Sequence, residues 1–354
     1  MENLNYIKIK AGFFILILVF LTGGEIYSQD SNTISKDFNR IANKIASHAE
    51  EINNVWPGFL SEGESFLLMK YDSVVHVYNV NQKPEGDYEP ISSNQLTNEL
   101  KGKAFKKKSY LPEYKDKERS FPGLYKINDN MIYALDPKGN NDFHKIDFYL
   151  HESFHFYQRD IANWAKTAGD TISIKFNTMV LDSMAQVDNP QYIYLQNYER
   201  NLLSKTLGIK EEDQIRSNLK KLLVVKAMRN TLLPDKAVDL IERYQRREGT
   251  ATYSGLYSSV AANEFSSDSV YVNLKSELKK PLKEFSAFPA QDQQFLRWPQ
   301  YSIGAAYCVI IDRLGVENWR RKIANGSTIY ELAETQVEIP KAEFERISDE
   351  ILNR

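Results

Sequence analysis

KIDFYLHESFHFYQRDIANWA, residues 145 to 165, contains His151, Glu152 and His155 in the order H-E-x-x-H. Neither proline nor glycine interrupts this stretch, and apolar residues flank the pattern on both sides, which predicts a buried helix. Residues four apart lie on the same face of an α-helix. His151 and His155 can therefore offer two imidazole nitrogens to a single metal ion.

Glu152 places a carboxylate beside these two histidines. A hydrolytic zinc site needs two neutral nitrogen ligands, a third protein ligand, an open position for water, and a carboxylate that takes the proton of that water. The pattern supplies the two nitrogen ligands and the carboxylate. The alternative is a core helix whose histidines only form hydrogen bonds, but burying these three side chains without a metal is costly. The sequence therefore predicts one Zn²⁺ per chain.

The N-terminus has the pattern of an export signal. Lys8 and Lys10 precede an apolar run from Ala11 to Leu21, and this order is typical of a signal peptide. The run is shorter than the roughly twenty apolar residues that span a bilayer as a helix. We expect cleavage after Ser28, which removes residues 1–28 and leaves an exported protein, periplasmic or secreted, without stable membrane insertion. An uncleaved membrane anchor is the alternative.

Composition limits the remaining possibilities. The single cysteine, Cys308, cannot form an intramolecular disulfide, so the exported chain must depend on its core for stability. A formal net charge of −2 with mixed charges argues against nucleic acid as a partner. Five lysines cluster between Lys101 and Lys108, and we interpret them as a solvated loop face rather than a binding patch.

Hydrophobic spacing separates a small sheet from a helical region. Two pairs of apolar runs, each joined by a short polar turn, predict two hairpins, whereas spacings of three, four and seven predict amphipathic helices. The predicted elements are a helix at Ser35–Val55, strands at 66–70, 74–80, 124–127 and 131–135, and helices at 192–207, 211–232 and 236–261. Residues 81–120 are predicted mostly as loop.

This order of elements predicts an α+β fold, in which a small N-terminal antiparallel sheet is followed by a mainly helical lobe with the zinc site between them. Residues 29–140 would form the N-terminal helix and sheet region. Residues 141–354 would form the helical catalytic region that carries H-E-x-x-H. An edge strand of such a sheet can hold a peptide by strand addition, and the sequence leaves open which strand would do so.

A third metal ligand must come from another part of the chain, and Glu248 in R-R-E-G-T-A-T-Y-S-G is the best candidate. Small residues on its helix face would allow close approach to a neighbouring helix. These residues are Ala251, Thr252 and Gly255, with Gly249 adjoining them. Three acidic residues with bulkier neighbours remain alternatives: Glu199, Glu242 and Asp182. An ordinary charge on a solvated face is the other interpretation of Glu248.

With H-E-S-F-H at residues 151–155 and E-G-T-A at residues 248–251, the chain resembles the gluzincin zinc metallopeptidases. In that family an H-E-x-x-H helix is paired with a glutamate on a later helix. The resemblance covers roughly residues 133–319, and it implies that His151, His155 and Glu248 bind zinc and that Glu152 is the general base. Glu248 follows His155 by 93 residues, a longer separation than in thermolysin-like members.

A second stretch extends the resemblance. R-W-P-Q-Y-S-I-G-A-A-Y, residues 297 to 307, places Tyr301 three residues before Gly304 at the start of a predicted apolar helix that ends at Gly315. It is similar to the Y-x-x-G stretch that follows the zinc glutamate in several gluzincin families, where the tyrosine hydroxyl hydrogen-bonds the developing oxyanion. The resemblance implies a catalytic Tyr301, and a packing or capping role is the alternative.

Together these features predict an exported zinc metallopeptidase that hydrolyses peptide or protein substrates, with Glu152 as general base toward a metal-activated water. The alternative is a non-catalytic exported binding protein that retains a metallopeptidase fold. Glu152 disfavours this alternative, because a structural zinc site has no use for a base beside the ion.

Overall fold

A computed structural model describes residues 31–60, 64–70, 74–100, 103–107, 123–127, 130–137, 139–164, 190–280 and 293–353. The predicted signal peptide, residues 1–28, and the alternative ligand Asp182 lie outside the described residues. Within the described ranges, no helix is both long and apolar enough to cross a membrane.

The N-terminal region begins with two helices, α1 at Ser31–Ser47 and α2 at Ala49–Val55. The single helix predicted for 35–55 is therefore interrupted at His48, whose Nδ1 lies 2.9 Å from the carbonyl oxygen of Lys44. Apolar residues at spacings of three, four and seven along these helices are all buried, namely Ile34, Phe38, Ile41, Ile45, Ile52 and Trp56. These residues anchor the N-terminal segment to the core.

Six strands form one sheet, in the order β3-β4-β2-β1-β6-β5. The strands are β1 Phe66–Lys70, β2 Val74–Tyr78, β3 Glu89–Pro90, β4 Phe105–Lys107, β5 Gly123–Ile127 and β6 Asn130–Leu135. Both predicted hairpins, β1–β2 and β5–β6, are confirmed as antiparallel pairs. The short strands β3 and β4 lie in the region that was predicted mostly as loop.

The sheet also contains one parallel pair, because β6 runs parallel to β1, with Phe66 opposite Tyr133. The side of β2 that does not face β1 pairs with β4. The second hairpin therefore joins the sheet at the free edge of β1, where its strand β6 runs in the same direction. The α+β organisation itself, a small N-terminal sheet followed by a helical lobe, is confirmed.

The helical lobe starts with α3, Asp142–Phe156, which carries the H-E-x-x-H pattern and continues into a π-helical segment at Tyr157–Ile161. Asn141 caps α3, since its side-chain oxygen accepts from the backbone N–H of His144 at 2.9 Å. Nine α-helices and a second π-helical segment follow among the described residues. They are α4 Pro190–Thr206, α5 Glu212–Asn230, α6 Asp235–Tyr244, the π segment Gln245–Gly249, α7 Thr250–Ala262, α8 Asp268–Lys279, α9 Gln293–Arg313, α10 Trp319–Ala324, α11 Ile329–Glu334 and α12 Lys341–Leu352.

Helix α3 lies between the sheet and the rest of the helical lobe. Its Tyr149 ring contacts the ring of Phe66 on β1, with centroids 6.1 Å apart. Its opposite face packs along α7, where a Cβ on Gly255 would lie only 2.8 Å from the backbone oxygen of Asp147 and 3.1 Å from Cβ of His151. The glycine thus permits an approach that any larger residue would oppose.

Helix α9 differs from its prediction at the N-terminal end. Tyr301 and Gly304 do not open this helix, which begins at Gln293 and continues through Pro299. A proline inside a helix removes one backbone hydrogen bond, and here the helix continues on both sides of it. Gly304 packs against the π segment, because a Cβ on Gly249 would lie 2.6 Å from Cα of Gly304. Cys308, further along α9, is buried and free.

Candidate metal centre

Two histidines and one glutamate converge between α3 and the π segment before α7. Oε2 of Glu248 lies 3.0 Å from Nε2 of His155 and 3.6 Å from Nε2 of His151. The donor atoms of all three residues lie within 4.8 Å of one another, and the trio can hold a metal ion. The structure thus brings together the three residues that were predicted as ligands from separate parts of the chain.

Each of the two segments that carry these three residues contains a π-helical turn at the site. One follows His155 directly, at Tyr157–Ile161, and the other, Gln245–Gly249, contains Glu248 itself. A π turn widens an α-helix by one residue, and such turns occur frequently at functional sites. Here the wide turns change the directions in which the side chains around the site leave the backbone.

Small residues allow three helices to meet at this point. Gly255 brings α7 against α3, while Gly249 and Gly304 bring α9 against the π segment. As a result, the Tyr301 ring on α9 stacks on the ring of His151, with centroids 5.7 Å apart and an angle of 5° between the planes. The structure therefore places Tyr301 next to a predicted ligand.

The two histidines favour the ionised form of Glu248. The glutamate is 3% exposed, whereas the side chains of His151 and His155 are 12% and 14% exposed. Burial opposes ionisation of Glu248, but the charge of His155 and hydrogen bonds from both histidines hold its pKa well below the usual range. Burial likewise opposes protonation of His155, and the Glu248 carboxylate outweighs it and raises the pKa of His155.

A second layer of polar side chains contacts the outer nitrogens of the two histidines. Gln158 Oε1 lies 2.9 Å from Nδ1 of His155, and Thr252 Oγ1 lies 3.4 Å from Nδ1 of His151. Asp147 lies one turn before His151, and burial raises its pKa to about 7, an effect that the charge of His151 opposes and that of Glu277 reinforces. Such outer partners orient metal-binding imidazoles and tune their basicity.

The other described candidates for the third ligand, Glu199 and Glu242, form ion pairs with basic side chains away from the two histidines. Glu199 is fully buried and forms an ion pair with Arg229. Glu242 pairs with Lys226 at 2.7 Å. Glu152 lies on α3 between the two histidines, is half-buried, and contributes to the charge that acts on His155.

Sequence reasoning missed Gln158, Thr252 and Asp147. Two of them carried a usable signal, since Asp147 lies four residues before His151 and Gln158 three residues after His155, which are helix-face spacings. For Thr252 the sequence indicates only a small residue on the same helix face as Glu248. Its contact with His151 depends on the packing of α7 against α3.

Comparison with known proteins adds no relative. No family model matches the chain, and neither the curated proteins nor the solved structures include a match. The motif and the geometry of the site are therefore the observations that bear on function.

Proposed function

We propose that this protein is a zinc-dependent hydrolase of peptide bonds, related in its site to the gluzincins. The observation that carries the proposal is the convergence of His151, His155 and Glu248 within 4.8 Å, with Glu152 on the same helix as both histidines. Neither a solvated charge nor a packing role accounts for a buried carboxylate that contacts the same nitrogen of two histidines.

The donor set fits zinc. Two imidazole nitrogens and one carboxylate oxygen are the protein ligands of several catalytic zinc sites, which keep a fourth position open for water or substrate. When bound, zinc lowers the pKa of a water molecule and polarises a carbonyl group. The partial exposure of both histidine side chains is consistent with access of solvent to this position.

The remaining chemistry falls to side chains of α3 and α9. Glu152 takes a proton from the attacking water and returns it to the leaving nitrogen. Tyr301 donates a hydrogen bond to the oxygen that becomes negative, and the contact of its ring with His151 supports this role. In this proposal both side chains contribute to the reaction rather than to the stability of the fold.

We also propose a location and a substrate class for this protein. The apolar run after Lys10 supports export to the periplasm or secretion, and the mature N-terminus is expected near Gln29. Peptides or proteins are the proposed substrates. N-terminal sequencing of exported protein tests the first point, and recovery of the full-length chain in the membrane fraction would show an anchor instead.

The decisive experiment combines metal analysis with a peptide digest. Purified mature protein is expected to contain about one zinc per chain and to cleave a peptide library, and a chelator should abolish cleavage until zinc is restored. Glu152→Gln should retain zinc and lose activity, because it removes only the base. A protein that binds zinc but cleaves nothing would instead match the non-catalytic binding protein.

Glu248 has a matched control on the preceding helix. Glu248→Ala should weaken zinc binding strongly, because it removes one of three protein ligands. Glu242→Ala removes a glutamate six residues earlier that pairs with Lys226 away from the site, so the zinc affinity of this variant should equal that of the wild type. The reverse result would assign the third ligand to another residue.

A further inference from the structure

Gln158 connects the two ligand-bearing segments. It is 3% exposed and lies on the π segment that follows His155. Its Oε1 is 2.9 Å from Nδ1 of His155, while its Nε2 is 2.9 Å from the backbone oxygen of Arg247 and 2.9 Å from Oγ1 of Thr250. One side chain thus touches a ligand on α3 and both sides of the turn that carries Glu248.

The direction of each of these hydrogen bonds is fixed. The Arg247 carbonyl can only accept, and the Thr250 hydroxyl donates to the backbone oxygen of Arg246 at 2.6 Å, so that its lone pairs remain to accept from Gln158. Both amide hydrogens of Gln158 are therefore used. Its carbonyl oxygen must face His155, and a carbonyl oxygen accepts, so Nδ1 of His155 carries the hydrogen of this bond.

His151 is held less strictly. Its Nδ1 lies 3.4 Å from the hydroxyl oxygen of Thr252, a longer contact than the one that His155 makes with Gln158. A hydroxyl can donate or accept, so this long contact does not determine which nitrogen of His151 carries hydrogen. The two predicted histidine ligands therefore differ in how firmly their rings are oriented.

We propose that Gln158 is the positioning residue of the metal centre. By accepting from Nδ1 of His155, it reserves the other nitrogen, Nε2, for the metal. By donating to Arg247 and Thr250, it holds the Glu248 turn at a fixed distance from His155. This inference rests on the proposed metal-binding function and adds to it the residue that sets the relative position of two ligands on different helices.

The size of the effect follows from the behaviour of outer partners of metal-binding histidines. Replacing such a partner typically lowers metal affinity by about 10- to 100-fold. Gln158→Leu keeps the approximate volume of the side chain and removes both its acceptor and its donors. Its zinc affinity, measured by competition with a chelating indicator, is expected to fall within this range.

Gln196 provides a matched control. It is another fully buried glutamine on a helix, α4, and its amide atoms have no hydrogen-bond partner in the described part of the protein. Gln196→Leu should therefore leave zinc affinity unchanged. If wild-type protein takes up no zinc, the proposed function fails. If wild type binds zinc and both leucine variants bind it equally well, only the role of Gln158 is overturned.

A spectroscopic measurement separates positioning from general damage. In the zinc-loaded protein, the Nδ1–H of His155 should give a slowly exchanging imidazole resonance in ¹H–¹⁵N spectra, and this resonance should be lost in Gln158→Leu and retained in Gln196→Leu. Gln158→Glu keeps an oxygen that accepts from Nδ1, so the resonance should persist there even if the leucine variant does not fold. Its absence from zinc-loaded wild type or from folded Gln158→Glu would overturn the proposal.

Discussion

Gly255→Ala tests whether the close approach of α7 to α3 sets the geometry of the metal centre. The added Cβ would lie 2.8 Å from the backbone oxygen of Asp147 and 3.1 Å from Cβ of His151, whereas ordinary contact begins at 3.4 Å. The two helices must therefore separate by about 0.6 Å, the difference between 3.4 Å and 2.8 Å. His151 moves with α3, while Glu248 lies directly before α7.

Two effects on stability oppose each other in this variant. Overpacking a dense interface costs about 1–3 kcal/mol, and alanine in place of glycine inside a helix returns about 1 kcal/mol. The free energy of unfolding should consequently fall by about 2 kcal/mol at most. Metal binding should suffer more, because a shift of about 0.6 Å exceeds the roughly 0.2 Å within which metal–ligand distances are maintained. We expect zinc affinity to fall at least about tenfold, which corresponds to about 1.4 kcal/mol.

The assay is zinc competition combined with urea unfolding of the metal-free protein. Gly208→Ala is the control, since its Cβ would meet chiefly Nζ of Lys275, the end of a flexible side chain that can move away. Wild-type zinc affinity in Gly255→Ala would refute the reasoning, because it would show that the ligands adjust independently of the α3–α7 contact.

Three further variants test other parts of the structure. Tyr301→Phe should lower kcat by about 10²- to 10³-fold with zinc content and Tm unchanged, as for the loss of one oxyanion donor; a lower Tm with normal kcat would assign the hydroxyl to packing. Arg229→Met should reduce the free energy of unfolding in urea by about 3–5 kcal/mol, because it leaves the buried Glu199 carboxylate without its cation, and unchanged stability would contradict this account of the pair. Burial, reinforced by the charge of Lys106, lowers the pKa of His76 to about 3; since the unfolded chain binds a proton near pH 6.5, wild type should lose about 1.4 kcal/mol per pH unit between about pH 6 and 4 relative to His76→Gln, and parallel pH profiles of the two proteins would refute it.

The parts of the fold that follow local rules were predictable. The buried helix around His151 and the two hairpins have periodic apolar residues with short turns, and the structure confirms them. The parallel contact of β1 with β6 depends on which sheet edge is free after β4 has paired with β2. No local pattern in either strand carries that information.

The candidate site likewise contains residues that the sequence predicted and residues that it did not. Glu248 was accessible from the sequence because the small residues that permit helix contact lie on its own helix, Gly255 among them. The contact of Gln158 with the turn that carries Glu248 was not, since its partners Arg247 and Thr250 are 89 and 92 residues away. The π turns were also missed, because their residues have ordinary helical patterns and the extra residue is visible only in the backbone.

The two wide turns have a consequence for variation in chain length. Adding or removing one residue in a helix changes the direction of every later side chain by about 100°. A one-residue deletion within Gln245–Gly249 would therefore turn Glu248 or the face of α7 away from α3. Insertions in a connecting loop carry no such penalty. Homologous chains that share this centre are expected to keep the spacings from Asp147 to Gln158 and from Gln245 to Gly255 unchanged, while the loops between these two blocks vary in length.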